Sequence, residues 1–212
     1  NVLQGIYGFF YLFSGDEGNI RVLVDGLGEK FKGTTESIHK KYPSCAATLA
    51  ATQGALELAQ EFDIKPDEVA EITVSVTERI YLLCGHPFEV RDNPQVDAQF
   101  SIPYTVANAL VRRCSLLEHF LNEEKVRAPE VVHLARRIHP VVDETVAEDG
   151  IPQSTLIDIN LKNGERHSKY VRYPKGFPQN PLTYEELIQK FRNCAAFGPK
   201  ALPEENSEAI LR

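Results

Sequence analysis

The chain has 212 residues, of which 42% are hydrophobic and 25% charged. That is ordinary globular composition, with room for one large domain or two small ones. A net charge of −7 and a pI near 5.4 argue against nucleic acid as a partner, because phosphate binding needs clustered Lys and Arg.

No apolar run reaches the roughly 18 residues of a membrane span. The apolar stretch from Gly5 to Phe13 lacks the basic flank and small-residue cleavage site of a signal peptide. Cys45, Cys84, Cys114 and Cys194 are far apart and share no short spacing, which argues against a zinc cluster and a disulfide scaffold. A reducing cytoplasm or organelle matrix fits such cysteines. The chain contains no Met and opens on Asn1, so it reads as a fragment of a longer parent.

In chain order, residues 1–38 read as mostly helical with loops. Ile20, Leu23, Val24 and Leu27 fall at helical spacing, and Gly28 is a natural stop. Residues 44–62 form an alanine-rich helix entered through Lys40-Lys41-Tyr42-Pro43-Ser44-Cys45, with Ser44 as N-cap. Val69 to Leu83 alternates as a half-buried strand of an antiparallel sheet. Gly85 to Val96 is a loop. A long helix runs from about Ile102 to Leu121, its stripe formed by Val106, Ala107, Leu110, Val111, Cys114, Leu117 and Leu121.

A shorter helix starts near Pro129, and Ile138 to Val146 is a second strand. Thr155 to Tyr173 reads as a hairpin turning at Asn163-Gly164, the pair favoured in a type I′ turn. Tyr173 to Pro178 is a connector. Thr183 and Glu186 then make a capping box for a helix reaching about Phe197. Few strands and long helices predict an α+β fold: a small antiparallel sheet with helices packed on one face.

Lys40 and Lys41 gather with Cys45 at a helix entrance, where the helix dipole favours an anionic ligand. Other candidates are weaker. Gly26-Leu27-Gly28 and Gly33 have the wrong spacing for a dinucleotide loop. Cys84-Gly85-His86 has no ligand-spaced companion, and there is no HExxH motif. His119, His133 and His139 read as surface or capping residues. Tyr104 points along the apolar stripe of its helix. A packed tyrosine is the favoured reading there, and a tyrosine at a helix start can also bind an anion or transfer a proton.

Together, Ile38 to Cys45, Asp97 to Leu110 and Pro129 to Ile138, in this order, resemble the MmgE/PrpD family of carboxylate enzymes. Gly5 to Phe10 and Tyr173 to Thr183 resemble it too, as does the helix from Glu186 to Cys194. The family includes 2-methylcitrate dehydratases, cis-aconitate decarboxylases and iminodisuccinate epimerases. The resemblance implies that this is about the C-terminal half of a cytoplasmic lyase, or a mitochondrial matrix one, that dimerises through the missing helical domain.

It also implies a small α/β domain at 39–172, with 1–38 and 173–212 belonging to a larger all-helical domain. The implied reaction removes a proton beside a carboxylate of a small di- or tricarboxylate and expels water, with no metal or organic cofactor. Lys40 and Tyr104 are the implied catalytic pair, with Lys41 and Cys45 as substrate-binding candidates. Arg112-Arg113 replaces a glycine common after this helix in the family.

Overall fold

The computed structural model describes the chain except residues 1, 4, 6, 16–18, 32, 34–35, 148–149, 198–201 and 212; Ile20 and Leu23 are described by backbone alone. It forms two compact units, Asn1–Ser37 and Ile38–Arg212. In the first, helix α1 (Phe9–Ser14) ends at Gly15, whose φ is 58° and whose amide bonds to the Tyr11 carbonyl. Instead of the helix expected through Leu27, the unit has a short 3₁₀ turn, Ile20–Leu23, capped by the Asn19 side chain. Gly26, at φ 71°, breaks the run before Gly28 can.

The second unit is built on a sheet of four strands in the order β2-β1-β3-β4. These are β1 (Val69–Val76), β2 (Ile138–Val142), β3 (Thr155–Leu161) and β4 (Arg166–Val171). β1, β3 and β4 pair antiparallel, as expected. β2 instead runs parallel to β1, with Ile72 opposite Ile138 and Val76 opposite Val142. Alternation in sequence reports which face a residue takes, not the direction of the neighbouring strand. The parallel pairing follows from the helical excursion between β1 and β2, the long crossover that parallel strands require. Pro140 fits because β2 is an edge strand.

That excursion comprises α3 (Glu78–Cys84), α4 (Pro94–Gln99), α5 (Ile102–Arg112), α6 (Glu118–Leu121), α7 (Glu123–Val126) and α8 (Pro129–Ala135). The strand expected to reach Leu83 stops at Val76, and the apolar residues after it belong to α3. The expected loop up to Val96 ends sooner, because Asn93 caps α4 by accepting the Val96 amide at 3.2 Å. The long helix of residues 102–121 is cut at Arg112. Arg113 takes a left-handed conformation, φ 56°, that glycine would adopt without strain. Its guanidinium donates to the carbonyls of Ala59 and Ile64, and those bonds hold a non-glycine residue there.

The hairpin turn also differs in detail. Gly164 donates to the Leu161 carbonyl at 3.0 Å with φ 91°, while Asn163 is not at positive φ. That excludes type I′, which needs positive φ at both central residues, and leaves a longer turn ending on a left-handed glycine. The predicted capping box is present: Thr183 and Glu186 exchange both bonds at the start of α9 (Tyr184–Ala195). A last helix, α10 (Glu204–Ile210), follows.

The class is α+β, a small open sheet with helices packed against it. Helix α2 (Leu49–Glu61) lies on β3 and β4, and α5 lies against α2, α8 and β2. Small residues let α2 approach closely. Ala51, Ala55 and Ala59 are buried, and a Cβ at Gly54 would stand 2.7 Å from Ile157 Cγ2. Behind α5, the Tyr104 hydroxyl donates to the His119 carbonyl, and the Tyr104 ring packs against Phe88 and Phe120. His119 is buried, and its Nδ1 accepts the Leu116 amide at 3.2 Å.

Two outcomes follow from this packing. Gly54→Ala should destabilise by about 1–3 kcal/mol in urea melts despite Ala's better helix propensity. In an Ile157→Leu background, which removes the branch it would strike, the same change should stabilise by up to about 1 kcal/mol; a sign that does not reverse would refute the tight seat. The second outcome concerns His119. Burial, then the Arg112 charge, lowers it from 6.5 to about 4, against the opposing pull of Glu118. The unfolded chain therefore takes this proton first, and stability should fall as pH drops from about 6.5 towards about 4. His119→Asn keeps an acceptor for Leu116 and should flatten that part of a pH series of urea midpoints.

Candidate functional site

The entrance to α2 is a short 3₁₀ turn, Ala46–Thr48, that runs on into the helix. Cys45, not Ser44, flanks it; Ser44 is buried with its Oγ 2.8 Å from Thr48 Oγ1. Two bonds from Gln99 fasten this segment to the end of α4. Its carbonyl accepts the Cys45 amide at 2.9 Å, and its Nε2 donates to the Pro43 carbonyl at 2.9 Å. Lys40 is exposed and folds over its own loop, with Nζ donating to the Ser44 carbonyl at 3.1 Å. These residues and Phe100 line a cleft of about 210 Å³.

A second contact fixes the other flank. The His39 amide donates to the Gly176 carbonyl at 2.9 Å, and Gly176 sits at φ 97°. A Cβ there would stand 1.9 Å from the His39 carbonyl oxygen, so the approach requires glycine. The connector from Tyr173 to Pro178 is therefore seated against the segment that carries Lys40.

The two adjacent lysines serve different clefts. Lys41 Nζ lies 2.7 Å from Glu186 Oε1, and Lys175 Nζ lies 3.4 Å from Glu186 Oε2. Burial alone would raise the Glu186 carboxyl, but the Lys41 hydrogen bond, the Thr183 amide and the two lysine charges hold it below its ordinary value. This trio lines a larger cleft of about 810 Å³ between α2 and α9, together with Gln53, Glu57 and Gln189.

Cys45 is half-buried beside Lys40, and its thiol is lowered to about 6. A hydrogen bond from Cys84 is the main cause; burial opposes it, and the Ala47 amide, Lys40 charge and Ala46 amide support it. No amide closes a full cap on the sulfur. Cys84 is buried and its thiol is raised, first by the bond to Cys45 and then by burial.

Tyr104 lies elsewhere. It is fully buried, its hydroxyl is bonded to a backbone carbonyl, and burial raises it above its ordinary value. It does not line the Lys40 cleft. Of the four sequence candidates, Lys40 and Cys45 share one cleft, Lys41 lines another, and Tyr104 packs in the core. The packed arrangement was the one its apolar stripe favoured.

Sequence reasoning missed Gln99 and Glu186 as parts of these clefts, and Gly176 as the seat of the entrance segment. The capping box marked Glu186 only as a helix start, and nothing local pairs Gly176 with His39. Among the described residues no group of three His, Cys, Asp or Glu side chains could hold a metal ion, and no helix is long and apolar enough to cross a membrane.

Comparison with known proteins now bears on this arrangement. The MmgE/PrpD C-terminal domain matches residues 42–212. The cis-aconitate decarboxylase of Aspergillus terreus (strain NIH 2624 / FGSC A1156) is 26% identical over 212 residues, covering 92% of this chain and 42% of that protein. The chain thus spans less than half the length of that relative. Because the domain match runs from Tyr42, inside the entrance to α2, to the last residue, the chain belongs to the MmgE/PrpD family.

Proposed function

We propose that this chain is the C-terminal part of a lyase resembling 2-methylcitrate dehydratase, of the kind that serves propionate metabolism. It acts on a small di- or tricarboxylate by proton abstraction and loss of water. The observation that carries this reading is the Lys40 cleft. An exposed ammonium, held by a backbone carbonyl, stands at a helix entrance in a chain of this family.

Removing a carbon-bound proton beside a carboxylate builds enediolate-like charge. A positioned cation stabilises that charge more in the transition state than in the ground state. Lys40 takes this role or donates the proton to the leaving group. We read Lys41, ion-paired in the other cleft, and Cys45, whose thiolate would repel a carboxylate, as supporting the site from outside the direct contact with substrate. The reaction as read needs no metal or organic cofactor.

A second reading is decarboxylation, favoured by the name of the Aspergillus relative. Epimerisation of iminodisuccinate starts from the same carbanion chemistry. In either case the remaining wall of the site lies in the helical domain. We assign 1–38 and 173–212 to that domain and 39–172 to the small domain. The absence of any buried residue in α9, and the 66% exposure of Tyr184, support a docking surface there. A homodimer formed through the helical domain, in the cytoplasm or a mitochondrial matrix, completes the reading.

The test uses the full-length parent. Product analysis on 2-methylcitrate, cis-aconitate and iminodisuccinate separates the three reactions, and no turnover of any would overturn the lyase reading. Lys40→Ala should lower kcat/KM by about 10²–10⁴ while leaving the melting profile unchanged; a loss below about tenfold would sink its role. Tyr104→Phe leaves the His119 carbonyl without its donor. It should cost about 1–3 kcal/mol of stability while changing kcat by less than about tenfold. A hundredfold fall in kcat at unchanged stability would restore Tyr104 to the chemistry. The isolated 212 residues should not turn over any of the three acids.

A further inference from the structure

Tyr42 follows Lys41 at the entrance to α2, and its ring is held in a small apolar cluster with Leu49 and Phe177. The residue is only 7% exposed, yet among the described residues its hydroxyl makes no hydrogen bond. Leaving a buried polar group without a partner costs about 1–3 kcal/mol, so such a group calls for an explanation. Among the described residues, the unpartnered side-chain atoms wholly shut off from solvent are Ser115 Oγ and Arg137 Nε. Tyr42 Oη is not one of them, and Tyr42 lines the cleft of about 810 Å³ between α2 and α9. The hydroxyl therefore opens on that cleft. Ser115 lines it too, so one cleft carries two hydroxyls that lack partners.

Burial, then the charges of Glu57 and Glu186, hold the Tyr42 phenol well above its ordinary value. It keeps its proton and stands as a donor. The charges around it decide what it would donate to. Glu57 accepts Gln53 Nε2 at 2.7 Å and lies 3.2 Å from Lys169 Nζ, so it is already met. Glu186 is shared by Lys41 and Lys175, two ammoniums to one carboxylate. Arg113 and Asp63 lie 3.4 Å apart and offset each other. Lys190, half-buried on α9, also lines the cleft and forms no ion pair among the described residues. The cleft thus holds an excess of positive charge beside an idle hydroxyl donor. A water molecule would satisfy the hydroxyl and leave the charge unanswered.

We propose that this cleft binds a small multivalent oxyanion, a carboxylate or phosphate metabolite that accepts the Tyr42 hydrogen bond and pairs with Lys190. It shares no lining residue with the Lys40 cleft, and the proposal does not depend on the lyase reading. A hydrogen bond to an ionised acceptor is roughly twice as strong as one between neutral groups. Lysine serves as a point charge for such a ligand. Lys41 and Lys175 keep Glu186 and add their excess charge through a partly dry cleft, where screening is weaker.

The two contacts come from different elements. Tyr42 belongs to the entrance of α2, and Lys190 to α9. A bound anion would therefore fasten α9 to the entrance segment, and binding should be visible as slower amide exchange along α9.

The experiment titrates the full-length protein at low ionic strength with citrate and, separately, with inorganic phosphate. Calorimetry reads the affinity and hydrogen exchange reads α9. At least one anion should bind and protect the α9 amides; citrate alone would identify a carboxylate ligand, phosphate alone a phosphate. Tyr42→Phe should weaken binding by about tenfold or more. It should leave the melting point of the unliganded protein unchanged or raised, because it deletes a hydroxyl that has no partner. Lys190→Gln, on a helix with no buried residue, should weaken binding by a similar factor and flatten its salt dependence. In Lys40→Ala the protection of α9 should persist. Binding of neither anion would overturn the proposal. So would affinities that Tyr42→Phe and Lys190→Gln leave unchanged, or α9 protection lost in Lys40→Ala alone.

Discussion

The close seat of α2 on the sheet is the constraint on which the rest of the second unit depends. Gly54 leaves Ile157 no room for a Cβ between them, and the flanking alanines keep the interface thin. Burial of these small side chains yields less hydrophobic free energy per residue than leucines would, but it brings backbone and sheet together. The reward is positional. The entrance of α2, where Lys40, Cys45 and Tyr42 stand, is fixed by a helix that cannot slide. Arg113 strengthens the other end of the same helix by reaching the carbonyls of Ala59 and Ile64.

From that fixed helix the clefts are built by contacts from far along the chain. Gln99 clamps the entrance from one side and Gly176 meets it from the other. Glu186 arrives from α9 and takes Lys41 out of competition for the small cleft. Two neighbouring lysines thus acquire different surroundings without any difference in side-chain chemistry. A cation that keeps a single backbone partner is suited to meet an anion, whereas one held by a carboxylate is structural.

Legibility in the sequence followed the range of the interaction responsible. The capping box of Thr183 and Glu186, the apolar stripe of α5 and the β3–β4 hairpin were readable because each is decided within a few residues. The parallel direction of β2 and the left-handed Arg113 were not, because each is decided by a partner many residues away. Arg113 shows this most plainly. By local propensity the helix should continue, and the carbonyls of Ala59 at the end of α2 and of Ile64 just beyond it favour the break. The lysine pair was visible as a cationic entrance, but its division between two clefts depends on Glu186, more than a hundred positions later.

The attachment of α9 carries a consequence for how the unit comes apart. This helix buries none of its residues in the second unit and is joined by Glu186 to Lys41 of the entrance segment and to Lys175 of the connector. Partly exposed ion pairs hold weakly and fade with salt. α9 therefore belongs to the least protected layer of the molecule, a local opening unit that exchanges its amides while α2 and the sheet stay closed. Each such opening would free Lys41 from its carboxylate and leave the Lys40 cleft intact, so ionic strength would change the charge around the entrance without disturbing its shape.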